Sequence, residues 1–391
     1  NTKVKNGYTP LLLATSCDYP KIVEKLLEIE EIDVNCQTDQ GWTPLMIAAS
    51  HGFSIITKLL LKHHLIDINI KNNNNMTALM IASINGYHQI VKMLLEQPNI
   101  DTESKSNENN TALFYAARNS RVDVVVEFIN QKKFDLNCLG ALDFSLLTMA
   151  ICKKSIAIVK LLLVFNELDV NVLWKNYSPL FLAIVVNNPE IIKLLLLRND
   201  TDVNYKNENK ITPLFYAAQT GCIQAVNLLL KRYDIDVNCK CGNKKLTPLM
   251  VAVIFHHPSV VDLLIKNEYI NVNYQSPGSG LSAIILATLT KDQQILSLLV
   301  SEPKVDVNSV DKGKSSSLHF ASFLNNSQSI NILLTRKDIR ANEHNKEGLT
   351  PLCIAAKYDK KQALGCLMND SRIDVNCCEL KMNNSPLHIA V

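Results

Sequence analysis

A single periodicity limits what this chain can become. Ser or Thr recurs at Thr9, Thr43, Thr77, Thr111, Ser145, Ser178, Thr212, Thr247, Ser282, Ser316, Thr350 and Ser385, at intervals of 33 to 35 residues. Ala stands five positions past each of them, from Ala14 to Ala390, and Leu two past all but one, where Ile284 replaces it. A chain that copies itself at this period is built from supersecondary units, none of which can bury its apolar face without a neighbour. Ala at one register position throughout marks close helix approach, where a larger side chain would overpack.

The stretch Gly41–Asn69 shows what each copy encodes. Thr43 can cap a helix, and Pro44 fits the first helical position, where a missing N–H costs nothing. Leu45, Ala48 and Ala49 give that helix a small apolar stripe, and His51-Gly52 ends it. Ile55, Ile56, Leu59 and Leu60 supply the stripe of a second helix. Asp67-Ile68-Asn69 follows as an extended turn, its Asp expected to hydrogen-bond nearby backbone N–H groups.

These features resemble the ankyrin repeat family, whose motif is T-P-L-H-x-A in units of about 33 residues, each one β-turn and two helices. The D-V-N tail recurs from Asp33-Val34-Asn35 to Asp374-Val375-Asn376, with looser versions at Asp101-Thr102-Glu103, Asn271-Val272-Asn273 and Arg340-Ala341-Asn342. The resemblance implies an all-α fold, an ankyrin-repeat solenoid of stacked helix-turn-helix units with β-turn fingers. It covers 1–391 as a single domain, with repeats beginning near 9, 43, 77, 111, 145, 178, 212, 247, 282, 316, 350 and 385. Solenoids close with polar terminal units. This chain opens on the turn Asn6–Pro10 and stops at Val391, inside the helix begun at Ser385, so both ends read as cut from a longer chain. The family His three residues past the cap survives only at His319 and His388. In the family it bonds the cap and ties repeats together; Leu12, Met46, Phe114 and others in its place shift the expected stabilisation toward apolar packing.

Composition removes several function classes. A hydrophobic content of 47% with 20% charged residues fits a folded chain. A net charge of +3 is too small to argue for nucleic acid or an anionic membrane. No apolar run reaches the length of a transmembrane helix. Of eleven cysteines, Cys36, Cys138, Cys239 and Cys377 directly follow the D-V-N tail, a slot for small residues, and no C-x-x-C occurs. They read as reduced thiols in an intracellular, cytoplasmic compartment. The nine His are scattered, and no zincin, nucleophile-elbow or phosphate-loop motif is present. No enzyme activity, cofactor or metal is expected. Lys240, Lys244 and Lys245 give one basic turn, read as a solvated tip in preference to a phosphate contact. The Asn-rich turn Lys71–Asn75 reads as solvated loop.

Two adjacent fingers break the polar pattern. Leu139–Phe144 and Val172–Tyr177 carry Leu142, Phe144, Trp174 and Tyr177 where the family is polar, and Val185 and Val186 extend that character onto the inner helix. An exposed aromatic cluster of this kind marks an interaction site; the alternative is that the fingers fold their side chains onto one another. Ile254, Phe255, Leu289, Phe323 and Leu324, seven or eight past their caps, either continue an apolar inner surface or lengthen the packed part of their helices. The resemblance implies a monomeric, non-catalytic scaffold that takes a protein partner on the concave finger and inner-helix face, with no nucleic acid and no membrane insertion. The alternative is the targeting segment of a larger kinase, ubiquitin ligase or acyltransferase.

Overall fold

The structure is a computed structural model describing residues 4–132, 134–377, 380 and 384–390, and Val391 lies outside them. The cap residues start helices as their chemistry requires. Thr43, Thr77, Thr111, Ser178, Thr212, Thr247 and Thr350 each accept the backbone N–H three residues on, then lead into helices such as Pro44–His51, Ala78–Asn85 and Pro213–Thr220. One otherwise orphaned helix-terminal donor is satisfied each time. Each is the inner helix of its repeat. An outer helix follows after a tight turn, as Ser54–Leu61 follows Pro44–His51. Gly52, Gly86 and Gly221 end inner helices in the left-handed region. Where Gly is absent, Lys154, Asn187, His256 and Asn325 take the same conformation at a steric cost.

Among the described residues the chain is helical, and extended pairing is limited to four isolated bridges in the fingers. It forms two compact units, Asn1–Thr201 and Asp202–Val391. Within each, inner helices pack on the next inner helix and outer on outer, as Pro44–His51 does on Ala78–Asn85 and His88–Leu95 on Val122–Gln131. The register Ala is buried from Ala14 to Ala355, as is the register Leu or Ile from Leu11 to Leu352. Each buried Leu or Ile is worth about 2 kcal/mol, so the inner helices owe their place to burial more than to their length of seven or eight residues. One expected stripe residue is misplaced: Ile56 and Leu60 are buried, but Ile55 faces solvent at 67% exposure. Thr57 takes the inward position instead, its hydroxyl donating to Phe53 O at 2.9 Å.

The D-V-N tail does more than turn the chain. Asp67 Oδ1 accepts from Asn69 N at 2.9 Å, the local bond expected of it. Asn69 then clamps the next repeat: Nδ2 donates to Asn99 O at 2.7 Å while Oδ1 accepts from Asp101 N at 2.9 Å. The same pair of bonds leaves Asn35, Asn137, Asn204, Asn238, Asn273, Asn308 and Asn342. The side-chain amide offers donor and acceptor on one short rigid group. Glu103 breaks the series; it accepts from Asp135 N but brings a charge in place of the donor, and burial, then Asp135, pushes its carboxyl up.

Arginines add a second staple. Arg198 donates to Leu163 O and Phe165 O of the preceding repeat while forking onto Asp200, and Arg336 treats Val300 O, Glu302 O and Asp338 alike. Arg372 caps Leu334 O and Arg336 O; its hydrogen bonds to Asp370 pull that carboxyl down to about 2. His319 fills the expected family role. Its Nδ1 accepts from Ser316 N at 3.1 Å, which leaves Nε2 to donate to Leu349 O of the next repeat at 3.2 Å. Burial first, opposed by the bonds to the Leu349 and Glu343 backbones, takes the imidazole down to about 4.

Candidate partner-binding face

In the first unit, the finger of the fifth repeat is a short loop closed by a bridge between Leu139 and Ser145. Leu142 and Asp143 take φ of 57° and 61°, which turns the loop tip outward. Gly140 is obligatory there, since a Cβ would lie 2.5 Å from the Phe114 ring. Asn110 Oδ1 accepts from Ala141 N at 2.7 Å and ties the loop to the finger before it. The sixth finger is a two-residue hairpin: Trp174 and Tyr177 exchange backbone bonds of 3.0 and 2.9 Å across Lys175 and Asn176, at φ of 46° and 60°. Successive left-handed residues match the twist of a tight hairpin.

The two fingers meet through their aromatics. The rings of Phe144 and Trp174 stack at 4.1 Å and 22°, and Trp174 Nε1 donates to Leu142 O at 3.0 Å. Lys175 Nζ lies 5.0 Å from the Trp174 ring centroid. Tyr177 does not join them; its ring lies 5.1 Å from the buried Phe181 and belongs to the packing of its own repeat. Leu142 is 73% exposed and Val185 45%, while Phe144, Trp174 and Val186 are half-buried. The fingers therefore fold onto each other in part and still present an apolar tip.

Below that tip lies a groove of about 630 Å³, walled by Leu142, Phe144, Phe114, Met149, Cys152, Lys153 and the Glu108–Arg118 ion pair at 2.7 Å. Glu108 and Arg118 also line a second groove of about 720 Å³, which runs past Tyr115, Asn85, Ile81 and Trp42. Sequence reasoning missed this floor. Met149 and Cys152 in the floor and Lys153 at its rim are four, seven and eight residues past Ser145, and the inner-helix register alone would have found them. The Asn-rich turn also proves structured: Asn72 is buried and accepts from Asn74 N and Met76 N, and Asn75 donates to Asn107 Oδ1 at 2.6 Å. A short polar side chain that caps its own turn need not be solvated.

Burial pushes the Cys152 thiol up, away from thiolate character, and the described residues contain no group of three metal-ligating side chains. In the second unit Ile254 walls a separate groove, Phe255 is 47% exposed, and Phe323 meets Tyr358 edge-on at 5.2 Å. Leu289 and Leu324 are half-buried.

The helix pairs, capped fingers and fixed register are matched by a family model described as ankyrin repeats (three copies), over residues 11–106, 63–138, 97–176, 127–207, 147–241, 180–276, 214–311 and 318–391. The chain belongs to the ankyrin-repeat family. No curated protein matches it in sequence. Ankyrin repeats are protein–protein interaction modules and typically non-catalytic. None of this ankyrin-repeat protein's described helices is long and apolar enough to cross a membrane.

Proposed function

We propose that this chain is a non-catalytic scaffold, monomeric and cytoplasmic, that docks a partner protein over the fingers and inner helices of repeats four to six. The observation that carries this is Leu142, three-quarters exposed beside the Phe144–Trp174 stack at the mouth of an apolar-floored groove. Soluble chains rarely hold such side chains in a rigid left-handed loop without use for them. The fingers are already fixed by backbone bonds, so docking loses little ordering entropy. Lys153, Lys175, Asp143 and Asn176 supply a polar rim around the anchors. The unbridged thiols of Cys17, Cys138, Cys152, Cys239, Cys241, Cys353 and Cys366 fit a reducing compartment.

The test uses Leu142→Asp, because that side chain touches solvent and its loss leaves the core intact. Proteins captured from cell extract by the parent chain and lost by the variant are purified and their affinities measured. Leu142→Asp should weaken binding by about 2 kcal/mol with an unchanged melting temperature. Equal affinity for both chains refutes this face.

A further inference from the structure

The basic finger of the eighth repeat is not a bare solvated tip. It closes through a bridge between Cys241 and Leu246, with Lys245 at φ 50°. Tyr274 of the next finger holds it: its hydroxyl donates to Lys245 O at 3.0 Å, and Lys240 Nζ covers its ring at 5.1 Å. Between these fingers runs a groove of about 520 Å³. Its floor is aliphatic, from Leu246, Ile254, Leu281 and Leu286, and its rim carries Lys244 and Lys245. No carboxylate lines it, and Lys240, Lys244 and Lys245 are exposed and in no ion pair among the described residues.

We propose that this groove, within the second unit and separate from the Leu142 face, docks an acidic, extended peptide segment whose carboxylates meet Lys244, Lys245 and Lys240 while an aliphatic side chain enters between Ile254 and Leu281. The charge is one-sided, so the occupant is anionic. The floor is apolar, so the anion also brings hydrocarbon. Cations stand along a finger instead of closing one end, which suits carboxylates spaced along a chain better than a single small acid. Nucleic acid fits less well, because Lys240 covers the Tyr274 ring and no aromatic ring lines the groove to stack a base.

The experiment is a differential selection from a displayed library of random peptides. The baits are the full chain, Lys244→Glu/Lys245→Glu, Gly278→Trp and the remote control Lys231→Glu. Gly278 lines the groove, and a Cβ there meets nothing within 4 Å, so the position has room for a side chain, and Trp is chosen to block the site. Peptides enriched on the parent and on Lys231→Glu should carry several Asp or Glu around a Leu, Ile or Val. They should bind both groove variants on the order of tenfold more weakly, and bind the parent less well as salt rises. Circular dichroism of all four chains separates lost binding from lost folding. The proposal fails if no peptides distinguish parent from groove variants, if those that do lack acidic residues, or if peptides of glutamate alone bind equally well. A single-stranded oligonucleotide that outcompetes the peptides at this groove would overturn it in favour of nucleic acid.

Discussion

At the scale of single residues, neighbouring aromatics do different jobs. Tyr177 rests on the buried Phe181, so Tyr177→Ala should cost about 2–4 kcal/mol in chemical denaturation. Leu142→Asp should cost nothing there, and that contrast separates packing from docking in one set of melts. Charge state is also decided locally. His319 is buried, with Nδ1 accepting and Nε2 donating, and its imidazole lies at about 4, below the ordinary value near 6.5. A group more acidic when folded than unfolded contributes its stability fully above the unfolded value. That contribution fades as pH falls from about 6.5 toward 4 and is worth on the order of 3 kcal/mol. NMR of the imidazole should show no titration between pH 7 and about 5. His319→Gln should flatten the stability profile in that window; a normal titration near 6.5 would mean the ring is not held as described.

At the scale of the element, the repeat junction is governed by the Asn that ends each tail. Asn238→Ala removes a bond to Tyr269 O and another from Asn271 N, leaving two backbone groups to find water. The expected loss is about 1–3 kcal/mol. Glu103 gives the converse test. Glu103→Asn restores the missing donor and removes a carboxyl pushed up by burial and by Asp135, so it should stabilise the first unit by about 1 kcal/mol in urea melts. A neutral or destabilising result would show that the bond Thr102 Oγ1 donates to Glu103 Oε1 outweighs the missing clamp. This scale also marks what a sequence can reveal. Caps, helix pairs and the close-packed Ala were legible because each follows from chemistry within a few residues. The Asn clamps and the Arg198 and Arg336 staples were not, because their partners lie 30 to 36 residues away, on the facing repeat. Ile55 was misjudged because the pairs Ile55-Ile56 and Leu59-Leu60 fit two faces of a helix, and burial on the neighbouring repeat chose between them. The apolar fingers were found by composition, but only the stacked geometry of Phe144 and Trp174 separates them from Tyr177.

At the scale of the molecule, stability in each unit is a chain of nearest-neighbour terms, since helices pack on the repeats directly before and after them. Damage should therefore stay local. Ala150 is fully buried at the close approach of the inner helix Leu146–Cys152 to its neighbours, so Ala150→Leu should overpack that point at a cost of about 1–3 kcal/mol. A single-cored globule of this size would spread the loss over every slowly exchanging amide. A stack concentrates it. Hydrogen exchange of the variant should show protection reduced in repeats four to six, including the fingers at Leu142 and Trp174, with the helix Pro10–Ser16 of the first repeat close to its parent rate. The same variant should then lose partner affinity through the disordered fingers, although Ala150 touches no ligand. Uniform loss of protection from the first repeat to the sixth would instead make the first unit one cooperative body, and the proposed docking face would be only as stable as its weakest junction.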